Sequence, residues 1–234
     1  MISVAIIPAR GGSKRLPRKN VIDFLGFPII AYTIDAAIQS GSFERVVVST
    51  EDSEIAAIAE RYGAVVDHRD PALAKDGVGL VDVCLDFLDR EAAAGRNWTV
   101  MGCLYATAPM RTAEDIRATM ALVESGRCAF SMAVTAYDQY PHQALKFGPD
   151  ATLTPMWPEL IEQRASHLPP LRVGNGSTYI VYVPEFRRHR SFYGPGLGGH
   201  DMPRERSIDI DTRADLDFAI WTARRIGFAS RTLK

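Results

Sequence analysis

The chain is poor in the features that mark several large protein classes. It has three cysteines in 234 residues, Cys84, Cys103 and Cys128, far apart in apolar runs and with no C-x-x-C among them. Three thiols cannot all pair, so they read as reduced core residues of a protein from a reducing compartment. There is no run of about 18 apolar residues, and no basic, apolar, small-residue leader at the start. A membrane-spanning helix and a secretory signal are therefore not expected, and a soluble cytoplasmic protein is. Charge of one sign is lacking too: 27 basic residues stand against 28 acidic ones, a net charge of −1. That balance argues against a nucleic-acid coat protein, so any basic cluster needs a local explanation. The five histidines show no H-E-x-x-H spacing, and most read as surface residues. No G-x-S-x-G occurs either. Zinc-peptidase and serine-hydrolase chemistry have no support.

The residues present fit a packed globule. Hydrophobic residues make up 47% and charged residues 24%, which suits one large α/β domain over 1–234. Short apolar runs alternate with helical patterns. "SVAII" (3–7), "RVVVST" (45–50), "AVVD" (64–67), "WTVMGCLYA" (98–106), "CAFSMAVT" (128–135), "STYIVYV" (177–183) and "RSIDID" (206–211) read as strands. Helices are predicted from Pro28, from Asp52, over 80–95, and from Thr112 and Thr212. The last two begin with a threonine followed three residues later by an aspartate, a capping-box arrangement. Buried strands separated by helices predict an α/β, doubly wound, mainly parallel sheet. The stretch 136–176 breaks the pattern: it has no clean period and carries prolines at 141, 149, 155, 158, 169 and 170. A segment this long and irregular reads as an insertion, a lid or a dimer arm.

Ligands of such sheets sit at the carboxyl ends of the strands. There, after the first strand, the chain reads "RGGSKRLPRKN", with five basic residues among the ten from Arg10 to Lys19. Gly11 and Gly12 let the backbone turn sharply, and amide groups in such a turn can cradle an anion. Arg10, Lys14, Arg15, Arg18 and Lys19 add the charge that a triphosphate would need. The loop is neither a Walker A motif nor G-x-G-x-x-G. The plainer alternative is a solvated basic loop; its position after a buried strand favours phosphate.

Near the other end, "SIDID" alternates. On a strand, Asp209 and Asp211 would share one face. Two carboxylates about 5–7 Å apart repel by roughly 2–3 kcal/mol at an effective dielectric near 20, and a hard cation reverses that sign. Mg2+ suits one or two carboxylates completed by substrate phosphates and water. The alternative is that Asp211 or Thr212 only caps the last helix. Tyr105, Thr107 and Arg111 in "LYATAPMR" allow two readings, contact with a base or sugar, or a strand-to-helix turn. "GNGS" at 174–177 reads as a turn. The basic loop lacks interleaved aromatics, so RNA binding has no support.

Taken together, "IIPARGGSKRLPRKN", "VVVSTED", "LYATAPMRTAEDI", "GNGSTYI" and "SIDIDTRADLDFA" resemble, in order and over nearly the whole chain, the acylneuraminate cytidylyltransferases, or CMP-sialic acid synthetases. "YATAP", "YPHQAL" (140–145) and "WPE" (157–159) are similar to the pseudaminate branch, while "GNGS" is closer to the sialate pattern. The resemblance implies a Rossmann-like, nucleotide-diphospho-sugar-transferase fold. It also implies transfer of CMP from CTP to the anomeric hydroxyl of a nine-carbon acidic sugar, with release of pyrophosphate, for surface glycans. Pseudaminate is the favoured acceptor, followed by N-acetylneuraminate or legionaminate. Mg2+ is the implied cofactor, held by Asp209 and Asp211. A homodimer with a protruding arm is implied as well, without a nucleic-acid or membrane partner.

Carried onto this chain, the resemblance assigns Arg10, Gly11, Gly12, Ser13, Lys14, Asn20, Arg69 and Tyr105 to the nucleotide. Lys19, Arg10 and Asp211 would be catalytic, Lys19 acting at the α-phosphate, while Arg15 and Arg18 would be only solvated neighbours. Gln143, Asn175 and Ser177 would serve the sugar. "DGVGLVD" (76–82) lacks hydroxyl-bearing residues and receives no contact. The rival reading is a non-catalytic nucleotide-binding protein on the same scaffold, which retention of Lys19, Asp209 and Asp211 disfavours.

Overall fold

Apolar runs of four to six residues become strands where both faces can be covered, and β1 (Ser3–Pro8) is the clearest case. Val4, Ala5, Ile6 and Ile7 are all fully buried. Side chains alternate across a strand, so Val4 and Ile6 join one core while Ala5 and Ile7 join another. Burying each of the larger side chains stabilises the fold by about 1.5–3 kcal/mol. The structure is a computed structural model and describes residues 1–228.

After β1 the chain forms a small hairpin, β2 (Asp23–Phe24) and β3 (Phe27–Pro28), and then α1 (Ile29–Ser40), β4 (Arg45–Thr50), α2 (Ser53–Arg61) and β5 (Val65–His68). Next come α3 (Leu80–Ala93), β6 (Val100–Leu104), α4 (Ala113–Glu124) and β7 (Phe130–Ala136). A second hairpin, β8 (Leu145–Phe147) and β9 (Leu153–Pro155), precedes β10 (Arg172–Tyr182), α5 (Val183–His189), β11 (Gly198–Asp201) and α6 (Arg213–Arg225).

Seven strands build the main sheet in the order β11-β7-β10-β6-β1-β4-β5. β1 pairs in parallel with β4 and β6, β4 with β5, and β11 with β7. β10 is antiparallel to both of its neighbours. On one face, Cys84, Leu85, Phe87 and Leu88 of α3 pack against the sheet. On the other, Ile30 and Ile34 of α1 and Ile55 of α2 do so. The doubly wound, mainly parallel sheet expected from the sequence is present. Beyond it, Leu216 and Ala219 of α6 close a third core with Leu16, Phe24 and Tyr32, bringing α6 back to the segment after β1. Both capping boxes form, Thr112 with Asp115 and Thr212 with Asp215. Among the described residues, no helix is long and apolar enough to cross a membrane.

Three of the differences from expectation bear on the site. Residues 207–211 are not a strand. Their backbone is taken up elsewhere: the Ile210 N–H donates to the Thr107 carbonyl at 2.9 Å and the Asp211 N–H to Asp215 Oδ2 at 3.1 Å. The acidic pair therefore rides on an irregular segment tied to the loop after β6. β11 forms from "GGHD", which has no apolar pattern and exists by pairing with β7. Finally, β10 begins at Arg172, inside the stretch read as an insertion, and its first residue pairs with Ala136 at the end of β7.

Candidate active site

The loop after β1 is fastened before it is charged. Ala9 N–H donates to the Ser49 carbonyl at 3.0 Å, and Asn20 Nδ2 donates to the Arg10 carbonyl at 2.9 Å. Arg18 adopts the left-handed region (φ 56°) and grips both Asp52 oxygens at 2.6 and 3.0 Å, with Glu54 as a further partner. This clamp holds the Asp52 carboxyl down at about 2. Asp52 also caps α2, so Arg18 is a structural clamp and not the solvated neighbour expected.

Beside this loop lies a cleft of about 510 Å³. Arg10, Ser13, Lys14, Lys19 and Asn20 line it from the loop, Arg69 from beyond β5, Tyr105 and Thr107 from beyond β6, and Asp211 from the end of the chain. These segments lie at the carboxyl ends of β1, β5 and β6, as the rule for open α/β sheets requires. Eight residues assigned from the sequence to the nucleotide, to catalysis or to the metal thus converge: Arg10, Ser13, Lys14, Lys19, Asn20, Arg69, Tyr105 and Asp211. The volume suits a nucleotide-sized ligand.

Four loop cations are matched by carboxylates. Lys19 Nζ lies 2.5 Å from Asp211 Oδ1, and Arg15 Nη2 lies 2.6 Å from Asp211 Oδ2. Arg10 Nη1 is 2.9 Å from Asp76 Oδ1, and Lys14 pairs with the same carboxylate. Burial pushes the Asp211 carboxyl up, but the bonds and charges of Lys19 and Arg15 outweigh it and hold it below the ordinary value. Asp209 goes the other way. Loss of surrounding water and the nearby Asp211 charge raise its carboxyl, although the residue keeps an exposed face and Thr107 Oγ1 donates to it at 2.5 Å.

A second opening, about 1320 Å³, lies across Tyr105 and is lined by Asn175, Gly176, Tyr179, Asp209, Phe218 and Trp221 among others. Gly176 has φ +70°, and a Cβ there would sit 2.8 Å from Asp209 Oδ2. The turn read from "GNGS" thus also makes room for Asp209. Asn175 is buried, accepts from the Ser177 N–H at 3.1 Å and hydroxyl at 2.8 Å, and donates to Ser207 Oγ at 3.0 Å.

The remaining expectations are altered. Gly11 and Gly12 do not line the cleft. The Gly11 N–H is engaged by Glu51 Oε1 at 2.8 Å, so that amide does not face a phosphate, and a Cβ at Gly11 would strike Asp52. Ser177 is fully buried and lines neither opening, because its hydroxyl serves Asn175. Gln143 is exposed on the arm and lines neither opening. The open question about "LYATAPMR" divides by residue. Arg111 is a buried strut to the Ser177 and Tyr105 carbonyls, Thr112 is a cap, and Tyr105 and Thr107 face the cleft. Sequence reasoning missed the loop around Asp76, which lines the cleft. It also missed Glu51, although Glu51 falls within the "VVVSTED" stretch that carries the resemblance.

The model of the cytidylyltransferase family matches residues 4–144. The chain belongs to that family. Curated relatives agree. This cytidylyltransferase is 33% identical over 221 residues to the pseudaminic acid cytidylyltransferase of Campylobacter jejuni, covering 94% of this chain and 95% of that one. It is 33% identical to the CMP-N,N'-diacetyllegionaminic acid synthase of Legionella pneumophila, covering 91% and 92%. The N-acylneuraminate cytidylyltransferase of Streptococcus agalactiae is 30% identical, with 92% of this chain matching 52% of that protein. Among solved structures, a CMP:2-keto-3-deoxy-manno-octonic acid synthetase complexed with CTP superposes with a TM-score of 0.70 at 16% identity, over 97% of this chain and all of the other. The 4-diphosphocytidyl-2C-methyl-D-erythritol synthase of Anaerococcus prevotii gives 0.63 at 11%, over 96% and 99%. These two likenesses identify the Rossmann-like nucleotidyltransferase fold.

Proposed function

We propose that this cytidylyltransferase transfers CMP from CTP to the anomeric hydroxyl of a nonulosonate, a nine-carbon acidic sugar, with pseudaminate as the favoured acceptor. The sugar oxygen forms the new bond to the α-phosphorus as the α–β phosphoanhydride breaks and pyrophosphate leaves. The observation that carries this reading is the convergence of the cationic loop, Arg69 and the acidic segment on one nucleotide-sized cleft. The acceptor follows the relatives, together with the "YATAP", "YPHQAL" and "WPE" stretches of this chain.

In this reading Arg10, Ser13 and Lys14 hold the phosphates, Lys19 offsets charge growing at the α-phosphate, and Asn20, Arg69 and Tyr105 border the nucleoside. Gly11 and Gly12 shape the loop. Catalysis here is positioning and charge neutralisation. The larger opening takes the sugar, with Asn175 at its wall and Ser177 orienting Asn175. Gln143 lies on the arm, and its sugar contact is assigned to the cleft of a second copy of the chain. The homodimer is supported by the arm's exposed Leu145, Phe147, Leu153, Met156 and Trp157, a density of apolar surface that a partner would cover.

Among the described residues, no cluster of three or more His, Cys, Asp or Glu could hold a metal without help. The donor chemistry still fits Mg2+, which takes one or two carboxylates and completes its shell with phosphate oxygens and water. Asp209 has its carboxyl raised partly by Asp211, a repulsion that a cation would relieve. Asp209 and Asp211 are the residues that would hold it, and when bound it would neutralise phosphate charge. A cytoplasmic location belongs to the same reading, because CTP is an intracellular substrate.

The test is pyrophosphate release from CTP and Mg2+ with pseudaminate, N-acetylneuraminate and legionaminate in parallel. The fastest release is expected with pseudaminate. No release with any of them would overturn the reading.

A further inference from the structure

We propose that Glu51 is a positioning residue for the nucleotide, joining the loop after β1 to Arg69 through its two carboxylate oxygens; this rests on the assignment of CTP to the smaller cleft. Glu51 directly follows β4, and its side chain is largely enclosed, at 18% exposed. Oε1 accepts from the Gly11 N–H at 2.8 Å, and Oε2 accepts from Arg69 Nη2 at 2.7 Å. One side chain thus spans two walls of the cleft that come from opposite sides of β4 in sequence.

The backbones on both sides are already secured without it. Ala9 N–H reaches the Ser49 carbonyl, and Arg69 N–H reaches the Thr50 carbonyl, each at 3.0 Å. What Glu51 adds is orientation. A guanidinium presents its N–H groups in one rigid plane, so fixing Nη2 fixes the direction of all of them. Arg69 is buried, and its Nε has no hydrogen-bond partner in the protein. A buried donor left this way is costly unless a ligand accepts from it. On the loop side, Glu51 holds the Gly11 amide just ahead of Ser13 and Lys14, which line the cleft.

Charge adds a further constraint. The Glu51–Arg69 pair is neutral as a unit, so Arg69 contributes direction more than net positive charge. Removing Arg69 alone would leave an enclosed carboxylate behind the phosphate loop, and removing one partner of a buried pair costs more than removing both. Asp52, next in sequence, acts separately through Arg18.

Glu51→Gln is the informative change. An amide has one acceptor oxygen and one donor nitrogen, so it can satisfy Gly11 or Arg69 but not both. CTP binding by calorimetry, melting temperature without ligand, and steady-state kcat and KM would be measured for the wild type, E51Q, R69A and E51Q/R69A. E51Q is expected to weaken CTP about 10- to 100-fold, the range for losing a hydrogen bond to a charged group. The loss should fall on KM for CTP more than on kcat. In the R69A background, E51Q should cost little or should restore part of the loss, because coupled residues are not additive.

E51Q binding CTP like the wild type, or its effect multiplying with that of R69A, overturns the proposal alone. A wild type that does not bind CTP overturns the cleft assignment and this proposal together. If E51Q does not fold, R69K, which keeps the charge but loses the planar fork, tests the same coupling. R69K binding CTP like the wild type would overturn it.

Discussion

Lys19 is the most enclosed cation of the basic loop. Its side chain is 18% exposed, against 38% for Arg10 and 79% for Lys14. Enclosure sets the strength of an electrostatic contact. A unit charge 4 Å from another is worth about 4 kcal/mol at an effective dielectric of 20 and about 1 kcal/mol in bulk water. Lys19→Ala should therefore remove about 3–4 kcal/mol of transition-state stabilisation, a 10²- to 10³-fold loss in kcat of the kind seen when a buried oxyanion donor is deleted. Lys14→Ala, at a solvated position, should lose less than about tenfold on the same grounds.

Stability should respond differently from rate. Asp211 would keep Arg15 at 2.6 Å after Lys19 is lost, so the fold should lose no more than about 1 kcal/mol, or roughly 2–4 °C in melting temperature for a chain of this size. The assay is initial-rate pyrophosphate release at saturating CTP and acceptor, with thermal unfolding of each variant. The reasoning fails if Lys14→Ala is as damaging as Lys19→Ala, or if Lys19→Ala loses its activity by unfolding.

Asp209→Asn should abolish turnover yet raise the melting temperature near neutral pH. The native carboxyl titrates above its ordinary value, so the folded state binds more protons than the unfolded one. Stability from this group therefore falls as pH rises between the ordinary and the raised values. Removing the charge removes that penalty, and an unchanged or lower melting temperature at pH 7 would refute it.

Asp115 shows the opposite sign. Burial opposes its ionisation, but Arg206, the Thr112 N–H and His200 hold its carboxyl at about 2, worth about 2 kcal/mol of stability at neutral pH that is lost as pH falls from about 4 to about 2. Asp115→Asn should accordingly destabilise the protein more at pH 7 than at pH 3 in urea titrations; equal losses at both would refute the linkage. Gly176→Ala should impair activity through both its φ of +70° and its contact with Asp209, which a wild-type rate would contradict.

Much of the fold was legible because burial on two faces writes itself as an apolar run, as in "SVAII" and "RVVVST". Capping boxes were legible because they are local: Thr112 and Asp115 need nothing beyond three residues of each other. Strand direction was not. The pattern of "STYIVYV" is the same whether β10 runs with or against its neighbours. β11 was hidden because "GGHD" gains its strand from β7 and not from its own side chains. α5 carried usable signals, Pro184 in its first turn and Arg187, Arg188 and His189 in its last, but it is only seven residues long. In "SIDID", alternation suggested a strand where capping by Asp215 and a bond to Thr107 dictate otherwise. The loop cations were legible as charge, but their partners were not, since Asp76 lies 66 residues from Arg10 and Asp211 lies 192 from Lys19.

The reversed direction of β10 has a consequence for how such a chain can diversify. Because β7 and β10 are adjacent and antiparallel, with Ala136 paired to Arg172 at their base, everything between them is topologically the tip of one hairpin. No crossover helix has to be rethreaded when that tip changes. Loop-closure entropy grows slowly, by about 0.6 kcal/mol for each doubling in length. The segment can therefore be lengthened, shortened or exchanged while the sheet and the cleft beside the β1 loop stay as they are. This makes it the cheapest place for a descendant enzyme to acquire a new partner surface.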